Sequence, residues 1–144
     1  MRQRLSIYVL AIATAALVLG APAASAIEPT AVWKATLYGR TAYPAVRGSA
    51  EFTEELSSSN PRDISVQLAN AGKLAGQPLT VYMSGGQFVG QSRVRSNGDF
   101  SLYHSTWKGQ NVPALELGKY GVSVWTSGKV LIASGTLHLT SHSP

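Results

Sequence analysis

The sequence predicts an all-β domain: a two-sheet immunoglobulin-like antiparallel β-sandwich of about seven to eight strands. Three observations lead there. After residue 26, apolar and polar residues alternate with a period of two in run after run, the mark of strands buried on one face. Clusters of Gly, Asn, Ser and Pro separate these runs at intervals of about 8–12 residues, as in sandwiches and barrels. No stretch of this region holds a helical period, and Pro44, Pro61, Pro78 and Pro113 interrupt most windows long enough to hold one.

The chain opens on a different pattern. Arg2 and Arg4 precede an uncharged apolar run, Ile7 to Gly20, which ends in Ala21-Pro22-Ala23-Ala24-Ser25-Ala26. A positive start, a short apolar core and small residues at Ala24 and Ala26 make an export signal cleaved after Ala26. The run is shorter than the roughly 20 residues of a spanning helix and has no basic flank at its end. No cysteine follows it to carry a lipid, and Gln3 separates the two arginines, so a twin-arginine signal is not expected either. The alanine-rich style points to a bacterial source. The expected organisation is a signal peptide over 1–26 and one domain over 27–144, secreted or retained in the periplasm or cell envelope with no stable membrane anchor.

The strands follow in order. Trp33, Ala35 and Leu37 alternate with Lys34, Thr36 and Tyr38, and Ala50 and Phe52 with Glu51 and Thr53. Ile64, Val66 and Leu68 make the third strand, and Leu79, Val81 and Met83 the fourth. Phe88 to Arg95, Asp99 to His104, Tyr120 to Thr126 and Val130 to Thr140 complete eight candidates. Ser84-Gly85-Gly86-Gln87, Ser96-Asn97-Gly98-Asp99 and Thr126-Ser127-Gly128-Lys129 read as hairpin turns, where Gly and Asn supply positive φ at little cost. Ser57-Ser58-Ser59-Asn60-Pro61 is a longer polar loop. Lys108 to Lys119 is the least strand-like segment and is expected to form a crossing loop.

These positions carry a resemblance. Leu37-Tyr38-Gly39, Gly48-Ser49-Ala50-Glu51-Phe52, Val66-Gln67-Leu68, Leu74-Ala75-Gly76 and Leu79-Thr80-Val81-Tyr82 open a shared pattern. Val89-Gly90, Gly109-Gln110-Asn111-Val112-Pro113, Gly121-Val122-Ser123-Val124 and Ala133-Ser134-Gly135-Thr136-Leu137 continue it. Over nearly all of residues 27–144 the chain resembles small secreted bacterial β-sandwich domains of unknown function. Tyr43-Pro44-Ala45-Val46 before Gly48 is also similar to the opening of CHRD domains, extracellular β-domains that occur in chordin. The His-rich strand that bacterial CHRD domains often carry is absent. The resemblance implies fold and export and carries no chemistry, because its positions are packing and turn residues.

Composition narrows the chemistry further. The 144 residues contain no cysteine, so disulfides, zinc-thiolate sites, iron–sulfur clusters and thiol nucleophiles are excluded. The formal charge of +5 falls to +3 without Arg2 and Arg4, and the ten remaining cations are scattered. A nucleic-acid interface needs a clustered basic stripe, so no nucleic-acid partner is expected. His138 and His142 stand four residues apart, a spacing that brings two ligands together on a helix but not on the strand expected here, and His104 is remote in sequence. His104 should cap the core edge, His138 should face outward and His142 should lie in the tail. No metal and no cofactor is expected, since a catalytic zinc takes three protein ligands with second-shell support. There is no Gly-x-Ser-x-Gly elbow and no Gly-rich phosphate loop. Glu54 and Glu55 would point to opposite faces of a strand, and a glycosidase needs two acids converging on one bond.

The aromatic residues divide by strand phase. Trp33, Phe52, Phe88 and Phe100 are expected in the core. Tyr82, Tyr103 and Trp125 stand in the phase opposite to Val81, Leu102 and Val124, and should project from polar sheet faces. Outward aromatics are often ordinary strand formers in cross-strand pairs, but they also stack on sugar rings and anchor proteins. The expected function is a secreted, non-catalytic binding or structural module for a glycan or protein outside the cytoplasm, with Tyr82, Tyr103 and Trp125 as candidate ligand-binding residues. The alternative is a small secreted hydrolase whose carboxylates converge only in the fold. Residues 27–144 are expected to give a strand-dominated far-UV spectrum and one cooperative melt that neither reductant nor chelator shifts. A helical spectrum, or collapse on adding chelator, would contradict this.

Overall fold

The computed structural model describes residues 29–143; the segment expected to be the export signal lies outside the described residues. Nine strands follow in chain order: β1 (Thr30–Gly39), β2 (Arg47–Glu55), β3 (Arg62–Ala69), β4 (Pro78–Met83), β5 (Gln87–Arg93), β6 (Phe100–Ser105), β7 (Gly121–Thr126), β8 (Leu131–Thr136) and β9 (His138–Ser143). Two single-turn 3-10 helices, Gly72–Leu74 and Thr106–Lys108, sit in the connections. The all-β expectation holds throughout.

The arrangement of the strands differs from the expected pair of sheets. All nine belong to one antiparallel sheet, in spatial order β5-β4-β7-β8-β1-β2-β3-β6, with β9 also beside β1. The reason lies in β1, whose ten residues exceed the reach of any single neighbour on one edge. Along the other edge β2 covers it from Thr30↔Glu55 to Tyr38↔Arg47. On the remaining edge β8 takes only Tyr38 and Gly39, while β9 takes Thr30 to Lys34. Because β1 serves both walls, the walls cannot separate, and the sheet curls until it is nearly a barrel.

That shared edge also revises the last expected strand. The run from Val130 to Thr140 divides at Leu137, which is fully buried and whose N–H donates to the Tyr120 carbonyl at 2.7 Å. Before it, β8 stays on the β7 ladder; after it, β9 runs down β1 to Ser143. His142 therefore lies in a strand and not in a tail. Gly135 permits the crossing, because a Cβ there would overlap the Thr36 carbonyl oxygen of β1.

The ends of the sheet, β5 and β6, meet without forming a ladder. The Ser96-Asn97-Gly98-Asp99 turn between them forms as expected, closed by Gly98 N–H to Arg95 O at 3.0 Å and Arg95 N–H to Asp99 O at 2.8 Å, but the strands it joins do not go on to pair. The seam is closed by side chains. The His104 ring packs against Gly90, where any Cβ would collide with it. Its Nδ1 lies 3.3 Å from the Asn111 carbonyl oxygen, and Asn111 Nδ2 donates to Phe88 O. Asn111 belongs to the 106–120 connection, which crosses from β6 to β7 as expected.

Inside, Phe52, Ile64, Val66, Leu79, Val81, Phe100, Val124 and Ile132 are fully buried. Trp33 packs against this core from its margin, stacked on Tyr120 at 5.0 Å between ring centroids. Phe88 corrects the expectation: it is 51% exposed. A bulge in β5 tucks Val89 and Gly90 inward together, so simple alternation fails there and Phe88 turns out.

Val66→Asp and Val124→Asp are each expected to abolish folding, since a lone buried carboxylate costs on the order of the whole stability. Gly135→Ala should remain folded but lose about 1–3 kcal/mol in urea denaturation, the usual cost of overpacking. An unchanged midpoint for Gly135→Ala would place the β8 crossing elsewhere.

Candidate functional site

The ladder between β4 and β7 sets the site. It pairs Thr80 with Trp125, Val81 with Val124 and Tyr82 with Ser123. Val81 and Val124 face the core, so Thr80, Tyr82, Ser123 and Trp125 share the outer face. Tyr82 and Trp125 are then diagonal neighbours, within reach of one another across adjacent strands.

Both flanking ladders are bulged at this level. Against β5 the register shifts between Val81 and Tyr82, and against β8 it shifts between Val124 and Trp125. The extra residues, Val89 on β5 and Ile132 on β8, are fully buried. Bulges bend a strand and re-aim its side chains. The β4–β7 ladder between them is regular, and on its outer face Tyr82, Ser123 and Trp125 are half-buried while Thr80 is buried.

A cleft of about 560 Å³ lies on that face, between the Ser84-Gly85-Gly86 hairpin at one end and Ser127 and Lys129 at the other. Tyr82 and Trp125 line it and are half-buried. Trp125 is held in place by its indole N–H, which donates to Ser123 Oγ at 2.8 Å. Tyr82 meets Phe88 edge to face, with centroids 6.1 Å apart and planes at 71°. The cleft's lining contains one formally charged side chain, Lys129, and no carboxylate.

Of the three residues expected to bind ligand, the fold brings Tyr82 and Trp125 together and leaves Tyr103 apart. Tyr103 sits on β6 opposite Ser65 of β3, outside the cleft, with the Lys108 ammonium 4.9 Å from its ring centroid. A shared platform of three rings does not form. Phe88, assigned to the core from sequence, supports Tyr82 instead. Lys129 was legible only as a turn residue; its left-handed backbone (φ 63°) places it on the cleft's rim. The hydroxyl lining could not be picked out from sequence, because serine and threonine are spread over every polar strand face.

Other chemistry-bearing residues are dispersed. His138 and His142 are exposed on β9, and His104 is at the seam. Among the described residues, no group of three or more His, Asp or Glu side chains could hold a metal ion. Glu51 pairs with Lys34 at 3.1 Å and Glu116 with Lys119 at 2.6 Å, both at the surface. No family model matches this chain, and no curated protein matches it.

Trp125→Ala should leave the thermal melt within a few degrees of wild type, since the ring lies outside the core. Trp33→Ala should cost about 3 kcal/mol, in the range for truncating a large aromatic ring packed on a core. The reverse ranking in denaturant titrations would exchange the roles assigned to these two rings.

Proposed function

We propose that this protein is a secreted, non-catalytic binding module that holds a saccharide on the outer face of β4 and β7. One observation carries the reading: Tyr82 and Trp125, outward on neighbouring strands, line the same cleft. Aromatic faces cover the apolar C–H face of a sugar ring and take apolar area of both partners out of water. The cleft volume of about 560 Å³ falls within the roughly 300–1,000 Å³ usual for ligand pockets.

The site's rigidity supports the same reading. Trp125 is fixed by Ser123 and Tyr82 by Phe88, so little side-chain freedom remains to be lost on binding. Binding is favoured over hydrolysis because glycosidases place two carboxyl groups across the scissile bond, and this cleft is lined by neither Asp nor Glu. The pattern of residues 1–26 and the resemblance to small secreted bacterial β-domains support a place outside the cytoplasm, in the envelope or the medium.

A glycan array probed with the purified protein is expected to give saccharide hits that weaken about tenfold or more in Trp125→Ala, the effect of about 1.4 kcal/mol. Tyr103→Ala should bind like wild type. Hits insensitive to Trp125 would remove the cleft from consideration. Release of new reducing ends from a bound glycan would show a hydrolase.

A further inference from the structure

The hydrogen-bond polarity of the cleft goes beyond the proposed saccharide reading and rests on it. Four hydroxyl groups lining the cleft already accept an N–H from the protein. Ser84 Oγ accepts from Gly121 N–H at 2.6 Å, and Ser123 Oγ from the Trp125 indole at 2.8 Å. Thr126 Oγ1 accepts from Val130 N–H at 3.1 Å, and Thr80 Oγ1 from Gln91 Nε2 at 3.2 Å. A hydroxyl carries one proton and two lone pairs. In each of these four a lone pair is committed, while among the described residues the proton is donated to no protein acceptor. Each is oriented by the bond it accepts and keeps one proton and one lone pair, with Thr80 the most enclosed of the four at 8% exposed.

The rest of the lining adds no anion. It includes no Asp, Glu, Asn, Gln or His side chain, so acceptors other than hydroxyls and main-chain carbonyls are missing. Its single formal charge is the ammonium of Lys129, which forms no ion pair with a described residue. Lys129 also stands in a left-handed conformation that a non-glycine residue adopts at some cost. Its N–H donates to Thr126 O at 3.0 Å, which anchors the turn at the cleft's end.

We infer that the saccharide is acidic, a uronic acid or a chain of them, with a sugar ring on Trp125 and Tyr82 and a carboxylate at Lys129. Each hydroxyl can still donate one bond and accept one, so the Lys129 ammonium sets the charge the cleft prefers, and hydrogen bonds to an ionised acceptor are roughly twice as strong as neutral ones. The single cation of the lining engages one carboxylate of such a chain at a time.

Calorimetry would compare uronic-acid tetrasaccharides (oligogalacturonate, oligomannuronate and hyaluronan fragments) with their carboxyl-reduced, neutral counterparts. At low salt the wild-type protein should prefer at least one acidic form by about tenfold, and the preference should shrink as salt screens the pair. Lys129→Asn removes the charge while asparagine tolerates the left-handed turn. It should bind acidic and neutral forms equally, and Trp125→Ala should lose both. Equal binding of both forms by wild type would overturn the acidic assignment and leave the saccharide reading standing. Binding to neither set, with no hit on the array, would overturn both.

Discussion

The backbone of β1 must find hydrogen-bond partners along both edges, and the rest of the fold follows from how it does so. A buried N–H or C=O without a partner costs as much as a lost hydrogen bond, so a ten-residue strand inside a sheet needs ten residues of neighbour on each side. The β2 strand pairs with nine of the ten, and Gly39 N–H donates to Val46 O just beyond it. The other is shared by two short strands, β8 at Tyr38 and Gly39 and β9 from Thr30 to Lys34, with Ala35 to Leu37 between them where the chain passes through Leu137. That division ties the β4–β7–β8 wall to the β1–β2–β3 wall at Tyr38 and Gly39. It requires backbone contact between Gly135 and Thr36 that no side chain could occupy.

Closure at the opposite seam is of a different kind. The edges of β5 and β6 approach without exchanging ladder bonds, and His104, Gly90 and Asn111 fill the gap. Open edges invite pairing with other chains, and this seam blunts two of them with side chains and the 106–120 connection. The buried extra residues Val89 and Ile132 supply curvature within the wall between them. The β4/β7 ladder between the two bulges is regular, and its outer face carries the aromatic floor of the cleft.

The site shows where sequence reasoning succeeds and where it stops. Strand phase alone placed Tyr82 and Trp125 on an outer face, because both lie in runs whose alternation with Val81 and Val124 is unbroken. The same logic sent Phe88 inward, since the bulge at Val89 inverts the phase for one residue and leaves no mark in the residue types. Tyr103 was grouped with the other two rings by phase, which says which side of a sheet a residue occupies but not which strand lies next to it. The importance of Lys129 and of the four hydroxyls depends on hydrogen bonds between segments up to 37 residues apart, as between Ser84 and Gly121.

What the sequence determined by itself was local: strand existence, the turns at Gly85-Gly86 and Gly128-Lys129, and the outward phase of Tyr82 and Trp125. These follow from side-chain alternation and φ preference, both properties of a few neighbouring residues. Tertiary structure alone decided that there is one sheet instead of two, that the last run breaks at Leu137, and that two of three aromatic residues share a cleft. Those outcomes are set by which distant strands can satisfy each other's backbone and where a bulge relieves the curvature. Such long-range matching depends on lengths and registers of several strands at once, and no single segment of the chain encodes it.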